Sequence, residues 1–321
     1  MNRLFGLHVG LSAALWLGGA AHAQSGYPSK PIRIVVPYAA AGGTDTVTRL
    51  LAQKMTESMG QQIVVENRPG ANGIIGSDVV AKAAPDGHVL LMTTNALTTN
   101  PWLYKLPYDS EKDFAPVTIT AVADNLLAVH PSLPANNVKE LIALARQRPG
   151  QLVMAASGAG QPSHLSGELL KLMGKIDVSI VQYKGTGASL SDLAGGHVMI
   201  TFASVPGLSP LVRTGKLRAL AVSGPKRNSA LPQIPTVGET LPGFEVMVWY
   251  GLMAPGKTPR DVISRLHGEV KKALARADVK GLLDSSGFEA GGNTPGEFAE
   301  IIKKDLVRWE QVIKQAGIKV Q

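Results

Sequence analysis

The sequence predicts an α/β fold, and two observations carry the prediction. Short apolar runs alternate with segments of helical periodicity along most of the 321 residues. Several of the runs are apolar at every position, as strands covered on both faces are. Alternation of this kind implies α/β layers built on largely parallel sheets.

In chain order, strands are expected at 32–36, 63–66, 89–93, 117–121, 126–130, 152–156, 178–182, 198–202, 217–222 and 245–253. The helices between them have readable ends. Val47, Leu50, Leu51 and Met55 recur at helical spacing in 45–59, and Gly60 follows. A helix at 138–148 starts behind Asn137, has Glu140 as its acid three residues on, and stops at Pro149-Gly150. Shorter helices are expected at 164–173 and 189–194. Thr258-Pro259-Arg260-Asp261 and Thr294-Pro295-Gly296-Glu297 each set a capping Thr before a Pro, with an acid at the third helical position. The second of these opens a helix that runs to Ala316, with Gly317 as its stop.

Met1-Asn2-Arg3, the apolar run 4–21 and the small residues Ala21-His22-Ala23 have the three-part layout of a secretory signal peptide. Residues 1–23 are therefore expected to leave, with cleavage near Ala23 and Gln24 as the mature start. A membrane anchor is the competing reading of so long a run, but its Gly-Gly-Ala-Ala-His-Ala ending favours cleavage. No later segment is long and apolar enough to span a bilayer. Cysteine is absent, which excludes disulfide scaffolds, thiolate metal sites, cysteine nucleophiles and a lipid-anchored form.

The remaining length suffices for two modest domains, with no linker to mark a boundary. Hydrophobic residues make up 45% of the chain and aromatics 5%, so the core is mainly aliphatic. The net charge of +8 is spread over scattered Lys and Arg without a basic run or aromatic interleaving. No nucleic-acid partner is expected; the charge is a solvated surface that mildly favours anionic ligands.

Two strand–loop–helix junctions carry the candidate chemistry. In Pro37-Tyr38-Ala39-Ala40-Ala41-Gly42-Gly43-Thr44-Asp45, a turn of small residues leaves backbone N–H groups at a helix start, where the dipole favours an anion. A tight turn with a Thr or Asp cap accounts for the same residues without a ligand. The second junction, Ser157-Gly158-Ala159-Gly160-Gln161-Pro162-Ser163 leading to His164, repeats the arrangement. There Ser157 adds a hydroxyl, and His164 is either a carboxylate donor or a local cap. Ligands of open α/β sheets settle at the carboxyl ends of strands, so two such junctions say more together than either alone. Thr93-Thr94-Asn95, Lys184-Gly185-Thr186 and Ala203-Ser204 end further strands with hydrogen-bonding groups, Lys184 being equally readable as a surface lysine.

The patterns of an enzyme are missing. There is no G-x-S-x-G elbow, H-E-x-x-H, P-loop or dinucleotide fingerprint, and the seven histidines are dispersed. No metal and no cofactor are expected, and no catalytic residue is assigned. An exported hydrolase-like enzyme using Ser157 as nucleophile and His164 as base is the alternative reading, with no orienting acid to complete it.

The order of several motifs resembles the Bug (Bordetella uptake gene) family, the extracytoplasmic solute receptors of tripartite tricarboxylate transporters. Its carriers are Lys30-Pro31-Ile32-Arg33-Ile34-Val35-Val36-Pro37-Tyr38 with Gly42-Gly43-Thr44-Asp45; Glu66-Asn67-Arg68-Pro69-Gly70-Ala71-Asn72-Gly73; Ala84-Pro85-Asp86-Gly87-His88; and Ala156-Ser157-Gly158-Ala159-Gly160 with His164-Leu165. Tyr183-Lys184-Gly185-Thr186-Gly187-Ala188, Gly215-Lys216-Leu217-Arg218-Ala219-Leu220-Ala221-Val222 and Leu231-Pro232-Gln233-Ile234-Pro235-Thr236-Val237 complete the set.

The resemblance implies a two-lobed periplasmic binding protein fold, type II-like, with a ligand cleft between the lobes. It implies an insertion: residues 24–123 plus 251–321 form the first lobe and 124–250 the second. It also implies a monomer that grips a small carboxylate and hands it to membrane permease subunits; a periplasmic sensor that reports the ligand to a signalling partner is a further alternative reading. Carried over, the site residues are Tyr38, Gly42, Gly43, Ser157, Gly158 and Gly160, with Thr186 and Ser204 nearby. Ala41 stands where many relatives have Gly. Met199 and Ala203 stand where they often carry Asp, which points away from an amino-bearing ligand and toward a di-, tri- or aromatic carboxylate.

Overall fold

The computed structural model describes residues 26–40, 42–183 and 186–318. The expected signal segment lies outside them, as do Ala41, Lys184, Gly185 and the side chain of Thr186.

The chain begins with β1 (Ile32–Val36), α1 (Gly43–Met59), β2 (Ile63–Asn67), α2 (Ile74–Ala81), β3 (Val89–Thr94) and α3 (Ala96–Leu103). Strand β4 (Phe114–Val129), 16 residues long, leads out of this first sheet. The second sheet takes α4 (Val138–Gln147), β5 (Val153–Ala156), α5 (Pro162–Gly174), β6 (Ser179–Gln182), α6 (Thr186–Ala194), β7 (Ile200–Ser204), α7 (Val205–Arg213) and β8 (Arg218–Val222). The chain returns through β9 (Met247–Pro255) and closes with α8 (Arg260–Ala275), α9 (Ala277–Ser285), β10 (Glu289–Ala290) and α10 (Pro295–Ala316).

Strand order in the first sheet is β2-β1-β3-β9-β4, with β10 also on β4; in the second it is β6-β5-β7-β4, with β8 also on β4. Two sheets sharing one strand give two lobes. The handover is sharp: Asp124 still pairs with Met247 of β9, and the next residue, Asn125, pairs with Ser204 of β7. Where the sequence suggests two strands, 117–121 and 126–130, the protein has this single strand. Its polar Asp124-Asn125 reads as a break but marks the crossing.

The sheets are mixed rather than largely parallel. β1 runs parallel to β2 and β3, and β5 to β6 and β7, whereas β9 is antiparallel to β3 and β4, and β4 to β7, β8 and β10. The misreading has a physical reason. A strand apolar at every position reports that both its faces are covered, not its direction. Ile32, Ile34 and Val36 pack with Val47 and Leu51 of α1 and Leu266 of α8, while Val35 faces the opposite layer with Trp249 and Phe298. In the second sheet Leu127 and Val129 join the layer of α4 and α5, and Leu126 and Ala128 join that of α6 and α7. Alternate side chains thus enter opposite cores.

Helix α10 straddles the sheets. Phe298 and Ile302 belong to the first sheet's outer layer, and Trp309, Val312 and Ile313 to a core of the second. Its start is the expected capping box of Thr294 and Glu297, and Gly317 ends it at φ 63°. Asn137 likewise caps α4 by accepting the Glu140 N–H at 2.9 Å. Thr258 does not cap α8: Pro259 is the N-cap, and the Thr258 N–H closes a turn onto the Pro255 carbonyl at 2.9 Å. Helices α2, α3, α7 and α9 were not legible in the pattern; α3 and α7 each carry an internal proline, Pro101 and Pro210.

Candidate functional site

A cavity of about 280 Å³ lies where the two sheets meet. Its lining comes from five places: Tyr38, Gly43 and Thr44 around the start of α1; Thr94 at the end of β3; Ser157, Gln161, Pro162 and Ser163 before and in α5; Ala203 and Ser204 at the end of β7; and Ala123, Asn125, Val248 and Tyr250 on the crossing strands β4 and β9.

In the first lobe the Tyr38 hydroxyl and Thr94 Oγ1 are 2.9 Å apart. On the crossing strand β9, Tyr250 stacks edge-on against Phe288 at 5.2 Å. Gly43 lets the loop pack closely, since a Cβ there would sit 3.1 Å from the Tyr250 hydroxyl and 3.1 Å from the Phe288 ring. Burial pushes both phenols above their ordinary range, Tyr38 and Tyr250 alike, so both remain protonated donors.

In the second lobe the Ser157 and Ser163 hydroxyls are 2.7 Å apart, and Ser163 Oγ accepts the Ser157 N–H at 2.9 Å. Gly160 turns the loop at φ +71°. Its N–H donates to His164 Nδ1 at 3.0 Å, and His164 Nε2 faces Glu168 at 3.6 Å. Gln161 lines the cavity and also donates across the lobes to Asn72 Oδ1. Asn72, at φ 53°, is held in turn by Asn100 through bonds of 2.8 and 3.1 Å.

Three helices begin at this cavity, α1 behind Gly42, α5 behind Gln161 and α7 behind Ser204, and none has a side-chain cap. The first N–H groups of a helix lack intrahelical partners, and the dipole there favours negative charge. Among the described residues no charged side chain lines the cavity; its polar groups are hydroxyls and amides. Chemically, the described lining is donor-rich and carries no charge, an arrangement that can receive an oxyanion.

Of the expected site residues, Tyr38, Gly43, Thr94, Ser157, Ala203 and Ser204 are brought together in the lining. Others stand elsewhere. Ala39 and Gly42 are exposed. Asp45 is buried behind the loop, accepting Arg49 Nε and Asn67 Nδ2 at 2.9 Å each. Asn95 clamps β9, donating to the Met247 carbonyl at 2.9 Å and accepting the Trp249 N–H at 3.1 Å. Gly158, Gly160 and His164 shape the Ser157 loop from outside the lining.

The sequence reading missed Asn125, Tyr250, Ala123 and Val248, all on the crossing strands; the one available signal was the polar Asp124-Asn125 pair inside an apolar run. Thr44, Gln161, Pro162 and Ser163 also line the cavity, and all four stand in the two strand–loop–helix junctions.

The family described as the tripartite tricarboxylate transporter family receptor matches residues 47–318. A protein from the tcbD–tcbE intergenic region of Pseudomonas sp. (strain P51) is 39% identical over 290 residues, 89% of this chain and 86% of that one. Protein BugT of Bordetella pertussis is 32% identical over 299 residues, 92% of each chain. Among solved structures, R. palustris Rpa4515 with adipate has a TM-score of 0.80 at 36% identity, covering 92% of this chain and 100% of that one. MatC of Rhodopseudomonas palustris with bound malate has a TM-score of 0.76 at 33% identity, covering 89% and 100%. With a two-lobed fold, a cleft at the crossing strands and these matches along nearly its whole length, the chain belongs to the tripartite tricarboxylate transporter receptor family, among the Bug proteins.

Proposed function

We propose that this protein is a periplasmic substrate-binding receptor that clamps a small carboxylate and presents it to the permease subunits of a tripartite tricarboxylate-type transporter. One observation carries the reading: three helix starts without side-chain caps meet at a cavity whose described lining has donors but no charge. An oxyanion there finds N–H and O–H groups and, in the described lining, no carboxylate to repel it. A ligand ammonium finds no acid in that described lining to neutralise it. The favoured class is therefore a di-, tri- or aromatic carboxylate rather than an amino acid, and the adipate and malate held by two neighbours support this.

Residues 24–123 with 251–321, and 124–250, act as two lobes joined through β4 and β9, with α10 reaching across. Hinge closure traps the ligand, which stabilises the closed state by its differential affinity for it. Residues 1–23 act as the cleaved export signal, and the receptor works as a monomer without metal, cofactor or nucleic acid. Against the hydrolase alternative, both His164 nitrogens face groups other than Ser157, and the Ser157 hydroxyl is bonded to Ser163.

The test is a thermal-shift panel of the mature protein with adipate, malate, citrate and benzoate against amino acids and neutral controls. A ligand that binds only the folded state raises Tm by mass action. A rise with carboxylates, with the ligand recovered unchanged, is the expected result. No rise with any carboxylate, or a ligand that is consumed, overturns the reading.

A further inference from the structure

His164 is buried and stands outside the cavity lining, and a neutral imidazole can hold its proton at either nitrogen. The surroundings choose one. The Gly160 N–H, which can only donate, reaches Nδ1 at 3.0 Å, so Nδ1 is the bare nitrogen and the proton sits on Nε2. Nε2 faces Glu168 Oε1 at 3.6 Å, an ion-pair distance at which a carboxylate favours the proton on that side. Burial alone would raise the Glu168 carboxyl, but its contacts with His164 and with Lys171, the latter at 3.1 Å, outweigh burial and hold it below its ordinary range.

The Gly160 bond does nothing for the helix that supplies it. Helix α5 starts at Pro162 behind the N-cap Gln161, so Gly160 precedes the cap and His164 reaches back over the first turn. What the bond holds is the loop. Gly160 is the one residue of 157–163 with a positive φ, +71°, and its bond to His164 is buried. Without that acceptor the N–H has to turn toward water, and the Ala159–Gly160 peptide plane turns with it. The neighbouring residue holds the other end of the same loop, since Ser163 Oγ accepts the Ser157 N–H at 2.9 Å. Ser163 and His164 thus pin Ser157 and Gly160 from one turn of helix.

We propose that His164 is a positioning residue of the ligand site: as the Nε2-protonated imidazole, set by Glu168, it fixes the Gly160 amide and with it the placement of Ser157 for the bound carboxylate. This rests on the carboxylate-receptor reading and adds to it a determinant of affinity that the ligand does not touch. The role differs from that of a carboxylate donor. With Nδ1 turned to Gly160 and Nε2 to Glu168, neither nitrogen is left to meet a ligand.

Two variants separate positioning from packing. His164→Asn keeps an acceptor, because the amide oxygen can stand where Nδ1 stands, whereas His164→Leu fills similar space without one. Both are compared with wild type by melting without ligand and by calorimetry with whichever of adipate, malate, citrate or benzoate binds the wild type. Nitrogen NMR of the wild-type ring is expected to show a bare Nδ1 and a protonated Nε2. His164→Leu is expected to bind about tenfold or more weakly, and His164→Asn to stay within about threefold of wild type. Undiminished binding by His164→Leu, equal losses in the two variants, or a proton on Nδ1 overturns the inference while leaving the receptor reading in place. Should His164→Leu fail to fold, a loss of about tenfold or more in His164→Asn overturns it as well. Failure of the wild type to bind any carboxylate overturns the receptor reading, and this inference falls with it.

Discussion

Ser163 Oγ stands 2.7 Å from the hydroxyl of Ser157 and takes that residue's backbone N–H at 2.9 Å. One side chain at the start of α5 therefore fixes both the hydroxyl and the amide of the loop that faces it. The two serines line the same cavity but do different jobs. Ser157 presents a hydroxyl to the cavity; Ser163 presents one and also sets the loop.

The serines give the first prediction. Ser157→Ala removes one hydroxyl and should weaken carboxylate binding by about 1 kcal/mol, roughly fivefold. Ser163→Ala should weaken it more, because the Ser157 N–H is also left without its acceptor. Calorimetry on both variants checks the order; equal or reversed losses contradict it.

Asn95 is expected to matter for stability and not for the ligand. Asn95→Ala strands the Met247 carbonyl and the Trp249 N–H, both now bonded to its side chain. A buried unsatisfied group costs roughly 1–3 kcal/mol, so denaturant melts should show a loss of about 2–4 kcal/mol. Affinity of the folded fraction should stay within about twofold of wild type, a change worth less than a single net hydrogen bond. A selective loss of binding would return Asn95 to the ligand.

Gly160 should resist substitution for two reasons. Its φ of +71° disfavours any L side chain, and a Cβ would press against Leu103 Cδ1 on the other lobe. Gly160→Ala is expected to cost about 1–3 kcal/mol in unfolding free energy. A variant as stable as wild type in urea would show that the loop is not so constrained.

The buried phenols set a pH dependence. Tyr38 and Tyr250 have their folded-state pKa raised by burial. The stability that depends on their staying neutral is fully present below the unfolded tyrosine value of about 10 and is lost as pH rises above it. Carboxylate affinity should therefore be flat from about pH 7 to 9.5, because both hydroxyls remain donors. An affinity loss centred below pH 9 would contradict the assignment, with Tyr38→Phe and Tyr250→Phe locating its source.

Much of this site was legible in the sequence, and the part that was not has an identifiable cause. The two glycine-containing junctions stood out because a strand, a turn of small residues and a helix start follow one another locally, as in Gly42-Gly43-Thr44 and Gly160-Gln161-Pro162. The crossing strands did not. Asn125 and Tyr250 reach the cavity through a pairing of β4 with β9 that spans more than a hundred residues, and no local pattern reports it. Asp45 and Asn95 were singled out for their polar chemistry at the right places. A polar side chain at a strand or helix end serves the backbone as readily as a ligand, and only its partners distinguish the two.

The central claim is that a cleft whose described lining has donors and no charge selects a carboxylate. The most direct measurement is calorimetry with the carboxylate that gives the largest thermal shift, its neutral amide analogue and its α-amino derivative, at one pH and salt concentration. The account predicts that the carboxylate binds at least about tenfold more tightly than either, since the helix starts favour the anion and the described lining has no acid to receive the ammonium. Equal or tighter binding of the amide or the amino derivative would contradict it.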